Sequence, residues 1–152
     1  PPCSRLARNA LRDLTHSVKS GVASIHNLGL SLASFLIIIY AATIFKEHAK
    51  YTSVFLVISS FTLQLVATFD EVYGFLHFAV SLLFFVLIGL SSIAYAIERR
   101  SRFAGVMFII YLGSWISYAV KIYHTGVAVP EIISTVAVVL WIVVSAVKIL
   151  SD

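Results

Sequence analysis

Apolar residues along this chain come in five long runs, separated by breaks of only a few polar positions. The runs cover residues 27–45, 51–69, 73–97, 103–123 and 131–150. A helix rises 1.5 Å per residue, so runs of about 19–25 residues cross a hydrocarbon core of about 30 Å. Backbone groups in lipid must find partners within their own segment, which makes each run an α-helix. The pattern therefore predicts an all-α, polytopic transmembrane helix bundle with five spans. The breaks at 46–50, 70–72, 98–102 and 124–130 are short, so consecutive helices pack antiparallel. Pro130 falls where a first helical turn tolerates proline, and Glu131 beside it suits the positive end of the helix dipole.

Residues 4–20 read differently. Leu6, Ala7, Ala10, Leu11, Leu14 and Val18 recur at helical spacing, with Arg5, Arg8, Arg12 and Lys19 mostly between them. This is the pattern of a helix lying in the membrane interface, and equally of a short amphipathic helix packed on the bundle. The chain divides on this reading into an amphipathic interfacial segment, 1–26, and a five-helix transmembrane domain, 27–152.

Composition supports a membrane setting. The 152 residues are 60% hydrophobic and 12% charged, more apolar surface than a soluble domain of this size can hide. The single cysteine, Cys3, excludes an internal disulfide framework and any CxxC metal or redox motif. A net charge of +4 without a long basic run fits basic loops facing anionic lipid and argues against a nucleic-acid partner. Asn, Gln, Met and Cys are scarce while Ile and Val are common, a balance that points to a thermophilic source.

The loops orient the chain in a cell membrane. Lys46, Lys50, Arg99, Arg100, Arg102 and Lys148 gather on one side; Asp70, Glu71 and Glu131 lie on the other, with Lys121. The positive-inside rule puts loops 46–50 and 98–102 in the cytoplasm. The basic segment 4–20 then lies outside, against the rule, which a helix upstream of Pro1 would explain. Small residues (Ser31 and Ser34; Ser59 and Ser60; Gly89, Ser91 and Ser92; Gly113, Ser114 and Ser117) let helix backbones approach.

Candidate chemistry collects at the outer face. Asp13 and His16 precede the first span, His26 and Asn27 open it, and Asp70 and Glu71 close the second. His77 lies about one turn inside the third, with Ser81 on the same face at i, i+4. His124 ends the fourth span and Glu131 opens the fifth. Histidines and carboxylates from several helices are the raw material of a Zn²⁺ site, with His26, His77 and His124 as candidate ligands and a metal-bound water as nucleophile for lipid hydrolysis. A haem held by His26 and His77 is the other cofactor this placement allows. Against both, helix ends are where polar residues belong, the turn at 70–72 needs turn formers, and no HxxxH or HExxH pair is present. His77 is either a functional group at membrane depth or a histidine hydrogen-bonded to a neighbouring helix. No GxSxG, P-loop, Rossmann glycine pattern, channel filter or inverted repeat is visible.

Two stretches carry a resemblance. Asn9-Ala10-Leu11-Arg12-Asp13-Leu14 and Ile25-His26-Asn27-Leu28-Gly29-Leu30 resemble the extracytoplasmic entry of a family of archaeal and bacterial membrane proteins known only as a domain of unknown function. The segment from Asp70 through His77 to Phe85 is similar to a later part of that family. Arg12 stands where the family usually has Ser, and Thr15 where it has Gly. The resemblance covers residues 9–97 and implies a sixth helix before Pro1; the last two spans match in hydropathy alone. It implies no activity, and draws attention to Asn9, Asp13, Asn27, Asp70 and His77.

Three functions are compatible with these features. With no complete catalytic constellation and no predicted cofactor, the leading expectation is an accessory or scaffold subunit of a membrane assembly, or a homo-oligomer. Its partners would be membrane lipids and other membrane subunits or further copies of itself. The second is a metal-dependent lipid hydrolase at the outer face. The third is a lipid- or quinone-binding subunit of an electron-transfer complex, which would need a cleft lined by Tyr111, Trp115 and phenylalanines.

Overall fold

The computed structural model describes residues 23–122 and 127–151. The segment 1–22, which includes Asn9, Asp13 and His16, lies outside the described residues, as do His124 and the side chain of Glu71. Among the described residues, five helices are long and apolar enough to cross a membrane. They are α1 (Ala23–Tyr40), α2 (Lys50–Thr68), α3 (Phe75–Glu98), α4 (Arg102–Ala119) and α5 (Ala128–Ser151). No strand occurs among the described residues. The chain is a multi-pass membrane protein by this architecture.

Consecutive helices pack on one another, and α3 also touches α5. The result is a meander with α1 at one edge, where it packs chiefly on α2. Lipid is as apolar as these side chains, so close packing and interhelical hydrogen bonds, not burial from water, hold such helices together. The small residues serve that end. Ser34, buried, donates from Oγ to the Ser60 carbonyl at 2.8 Å, joining α1 to α2. Gly89 of α3 lets the Tyr111 ring of α4 lie over it, and the Tyr111 hydroxyl donates to the Phe85 carbonyl at 2.6 Å. Ser114 of α4 and Ser134 of α5 meet at 3.4 Å. Gly113 does not share this role: nothing lies within 4 Å of where its Cβ would be.

An aromatic chain ties three helices together near the end of the bundle that carries the basic residues. Tyr40, Phe45, Tyr95 and Trp141 follow one another with ring centroids 5.4, 5.4 and 5.6 Å apart. Phe45 and Trp141 are fully buried there.

The helix ends differ from the hydropathy reading in instructive ways. The first span runs past 45: α1 continues through a π-helical turn, Ala41–Phe45, and a last helical turn, Lys46–His48. The Ala41 carbonyl accepts both the Lys46 N–H and, at 2.7 Å, the Ser53 hydroxyl of α2, so the wide turn leaves no orphan acceptor there. The 46–50 break is thus a corner made by Ala49 alone, at φ −148° and ψ 81°. The fourth span stops at Ala119, short of 123.

Two helices end in the same device. The N–H of Ser101 reaches the Ala96 carbonyl and that of Arg100 the Ile97 carbonyl, with Arg100 left-handed at φ 49°. Ile122 and Lys121 repeat the pattern on Ser117 and Tyr118, with Lys121 at φ 58°. Both are Schellman caps with a cation where glycine is usual; the charge favours the negative helix end while the side chain costs about 1 kcal/mol in that conformation. Ser101 then caps α4 directly, accepting the Ala104 N–H at 3.3 Å.

Candidate functional site

The polar residues predicted at the outer face are organised around the turn between α2 and α3. Helix α2 ends at Thr68 with Phe69 as its C-cap, and a 3-10 turn, Glu71–Tyr73, follows. Asp70 is buried; its Oδ1 accepts the Val72 N–H at 3.1 Å and its carbonyl accepts the Tyr73 N–H at 3.0 Å. Gly74, at φ 52°, supplies the left-handed backbone that starts α3, a conformation strained for any other residue.

His77 reaches back across this turn. Its Nδ1 lies 2.6 Å from the Phe69 carbonyl. A carbonyl only accepts, so Nδ1 carries the proton, and in the neutral ring Nε2 is left as an acceptor. Nε2 faces the Ser81 hydroxyl at 3.5 Å, the outer limit of a hydrogen bond. The i, i+4 pairing of His77 and Ser81 read from the sequence is therefore present. The hydrogen bond to a neighbouring helix, one of the two readings of His77, is also present, and its acceptor is the Phe69 carbonyl: His77 closes the end of α2 from α3, satisfying one of its last acceptors.

The remaining predicted residues lie on α1 and α5. His26 and Asn27 lie in the first turns of α1, where His26 Nδ1 and Asn27 Oδ1 are buried without a hydrogen bond among the described residues. Glu131 lies in the first turn of α5, and its carbonyl accepts the Thr135 hydroxyl at 2.8 Å. Among the described residues, no group of three or more His, Cys, Asp or Glu is gathered closely enough to hold a metal ion. Tyr111 and Trp115 are engaged in packing: Tyr111 on Phe85 and Gly89, and Trp115 against Phe85 at 5.0 Å between ring centroids.

A second polar locus went unread in the sequence. Gln64, about one turn from the C-terminal end of α2, donates from Nε2 to Ser31 Oγ of α1 at 3.2 Å. The pair lines an open groove of about 320 Å³ between the two helices, with Leu32, Phe35, Ile38 and Phe61 as its apolar walls. Gln64 is the chain's single glutamine, and its place within a span was the available signal.

A third locus lies at the opposite, basic end. Glu98, the last residue of α3, accepts the N–H of Tyr51 at 3.1 Å, the N–H of Thr52 at 3.0 Å and the Thr52 hydroxyl at 2.8 Å. One carboxylate thus satisfies orphan donors at the start of α2 and complements its dipole. An acid alone among cations in the stretch 98–102 was the clue.

The chain matches the family described as "Protein of unknown function (DUF998)" over residues 1–148, and it belongs to that family. The match extends through the last two spans, beyond the resemblance drawn from residues 9–97. No curated protein and no solved structure matches the chain.

Proposed function

We propose that this protein is a non-catalytic membrane subunit that binds another transmembrane helix, either in a larger assembly or in a homo-oligomer. The observation that carries this reading is the groove between α1 and α2. It opens at the edge of the meander, and it holds a polar Gln64–Ser31 pair about one turn inside the end of α2. Amide and hydroxyl groups within a span are better matched by a neighbouring helix, which offers partners, than by acyl chains, which offer none. Around the groove α1 exposes Leu28, Leu32, Phe35 and Leu36, a continuous apolar face of the kind helix pairs use. The hydroxyl of Ser34, which also lines the groove, and elsewhere those of Ser53 and Tyr111 are committed to helix–helix hydrogen bonds.

The test is a photoreactive phenylalanine analogue at position 35, irradiated in the native membrane. The reading predicts protein–protein adducts at this position. Adducts with lipid alone would sink it.

A second reading, a lipid-processing enzyme at the face of Asp70 and His77, draws on one observation. His77 is fixed by the Phe69 carbonyl with Nε2 turned toward Ser81, the orientation a general base or a metal ligand needs. Metal bound stoichiometrically by the native protein and lost on His77→Ala, together with lipid hydrolysis, would raise it above the first.

A further inference from the structure

The basic end of the bundle carries a feature that assembly does not require. Lys50, Arg102 and Lys148 are exposed on α2, α4 and α5. Each shares its helix face, four residues away, with an exposed apolar side chain: Val54 at 53%, Val106 at 50% and Val144 at 44%. Aromatic residues sit beside two of the cations, Tyr51 next to Lys50 and Phe103 next to Arg102, and both are exposed. The acids at this end offer little competition. Glu98 is held by the Tyr51 and Thr52 donors, which leaves Glu47 as the exposed carboxylate among the described residues.

From this juxtaposition we infer that the basic end binds anionic phospholipids, with headgroup phosphates on Lys50, Arg102 and Lys148 and acyl chains along the apolar faces that these cations head. A soluble anion or an acidic peptide would meet the charges and leave the stripes unused. An anionic lipid meets both, and the adjacent Tyr51 and Phe103 suit the headgroup boundary. The inference concerns the lipid shell and stands whether or not the groove between α1 and α2 takes a helix.

The experiment uses the full chain in a neutral detergent, titrated with phosphatidylglycerol or phosphatidylcholine, and reads bound lipid by native mass spectrometry and the thermal midpoint. The expected result is preferential retention of phosphatidylglycerol and a higher midpoint with it, both weakened by salt. A cation near an anionic surface is worth about fivefold in affinity, so the K50Q/R102Q/K148Q variant should lose about fivefold at each of the three headgroup positions while keeping its midpoint in phosphatidylcholine. Three results would overturn the inference. These are equal retention of the two lipids, an unchanged preference in the triple variant, or an equal midpoint shift from glycerol phosphate or polyglutamate, which lack acyl chains. Should the triple variant fail to fold, the single variants R102Q and K148Q, each expected to lose about fivefold, carry the same test.

Discussion

The Glu98 carboxylate at the end of α3 accepts both the N–H and the hydroxyl of Thr52, at 3.0 and 2.8 Å, and so caps a helix 46 residues earlier in the chain. The cap welds the two helices at the basic end of the bundle, as His77 and Phe69 do at the other. Glu98→Ala removes the acceptor for two backbone donors and one hydroxyl. Its expected cost is about 1–3 kcal/mol, with Glu98→Gln losing less and Thr52→Val about 1 kcal/mol. Thermal or SDS-induced unfolding of the purified protein checks this; an unchanged midpoint in Glu98→Ala contradicts it.

Gly89 and Gly113 make a matched pair for a packing test. A Cβ at Gly89 would lie 3.0 Å from Tyr111 Cε1, so Gly89→Ala must push the ring away and strain its hydrogen bond to Phe85. A loss of about 1–3 kcal/mol is expected. Gly113→Ala meets open space and should be neutral or gain up to about 1 kcal/mol from helix propensity. Tyr111→Phe, which keeps the ring, should lose about 0.6–1 kcal/mol. The unfolding midpoints should rise from Gly89→Ala through Tyr111→Phe to Gly113→Ala.

Arg100 and Lys121 occupy left-handed positions that glycine adopts without strain. Arg100→Gly and Lys121→Gly should each stabilise the protein by a few tenths to about 1 kcal/mol, less the dipole interaction given up. Lower midpoints in both variants would show that the side chains make contacts worth more than the strain.

Hydropathy carried the architecture. Five spans, short corners and an all-α fold were legible because a bilayer leaves a 20-residue apolar run no other structure. The ends were less so. The π turn at Ala41–Phe45 depends on a carbonyl that Ser53 satisfies from another helix, and no local pattern announces such a partner. The candidate site divides in the same way. The i, i+4 relation of His77 and Ser81 is local and was readable; a bond from His77 to a neighbouring helix was one of two open readings, but its acceptor, the Phe69 carbonyl across a turn, was not legible. Glu98 read as one more loop charge, and Gln64 as a compositional rarity, because their partners Thr52 and Ser31 are 46 and 33 residues away.

The same geometry gives the orientation a direct check. In a Cys3→Ser background, cysteines placed at Lys46 or Arg100 should resist a membrane-impermeant maleimide applied to intact cells, while one at Val72 should react. The reverse pattern would invert the topology drawn from the basic loops.

The most direct test of the central proposal is the mass of the protein extracted with its native lipids, without detergent, into polymer-bounded discs. The groove between α1 and α2, with Gln64 and Ser31 at its floor, predicts particles holding at least one protein chain beyond a single copy. It also predicts that Gln64→Leu, which removes the polar pair, reduces that population while leaving the monomer folded. Particles with one copy and lipid only, in wild type and variant alike, would contradict it.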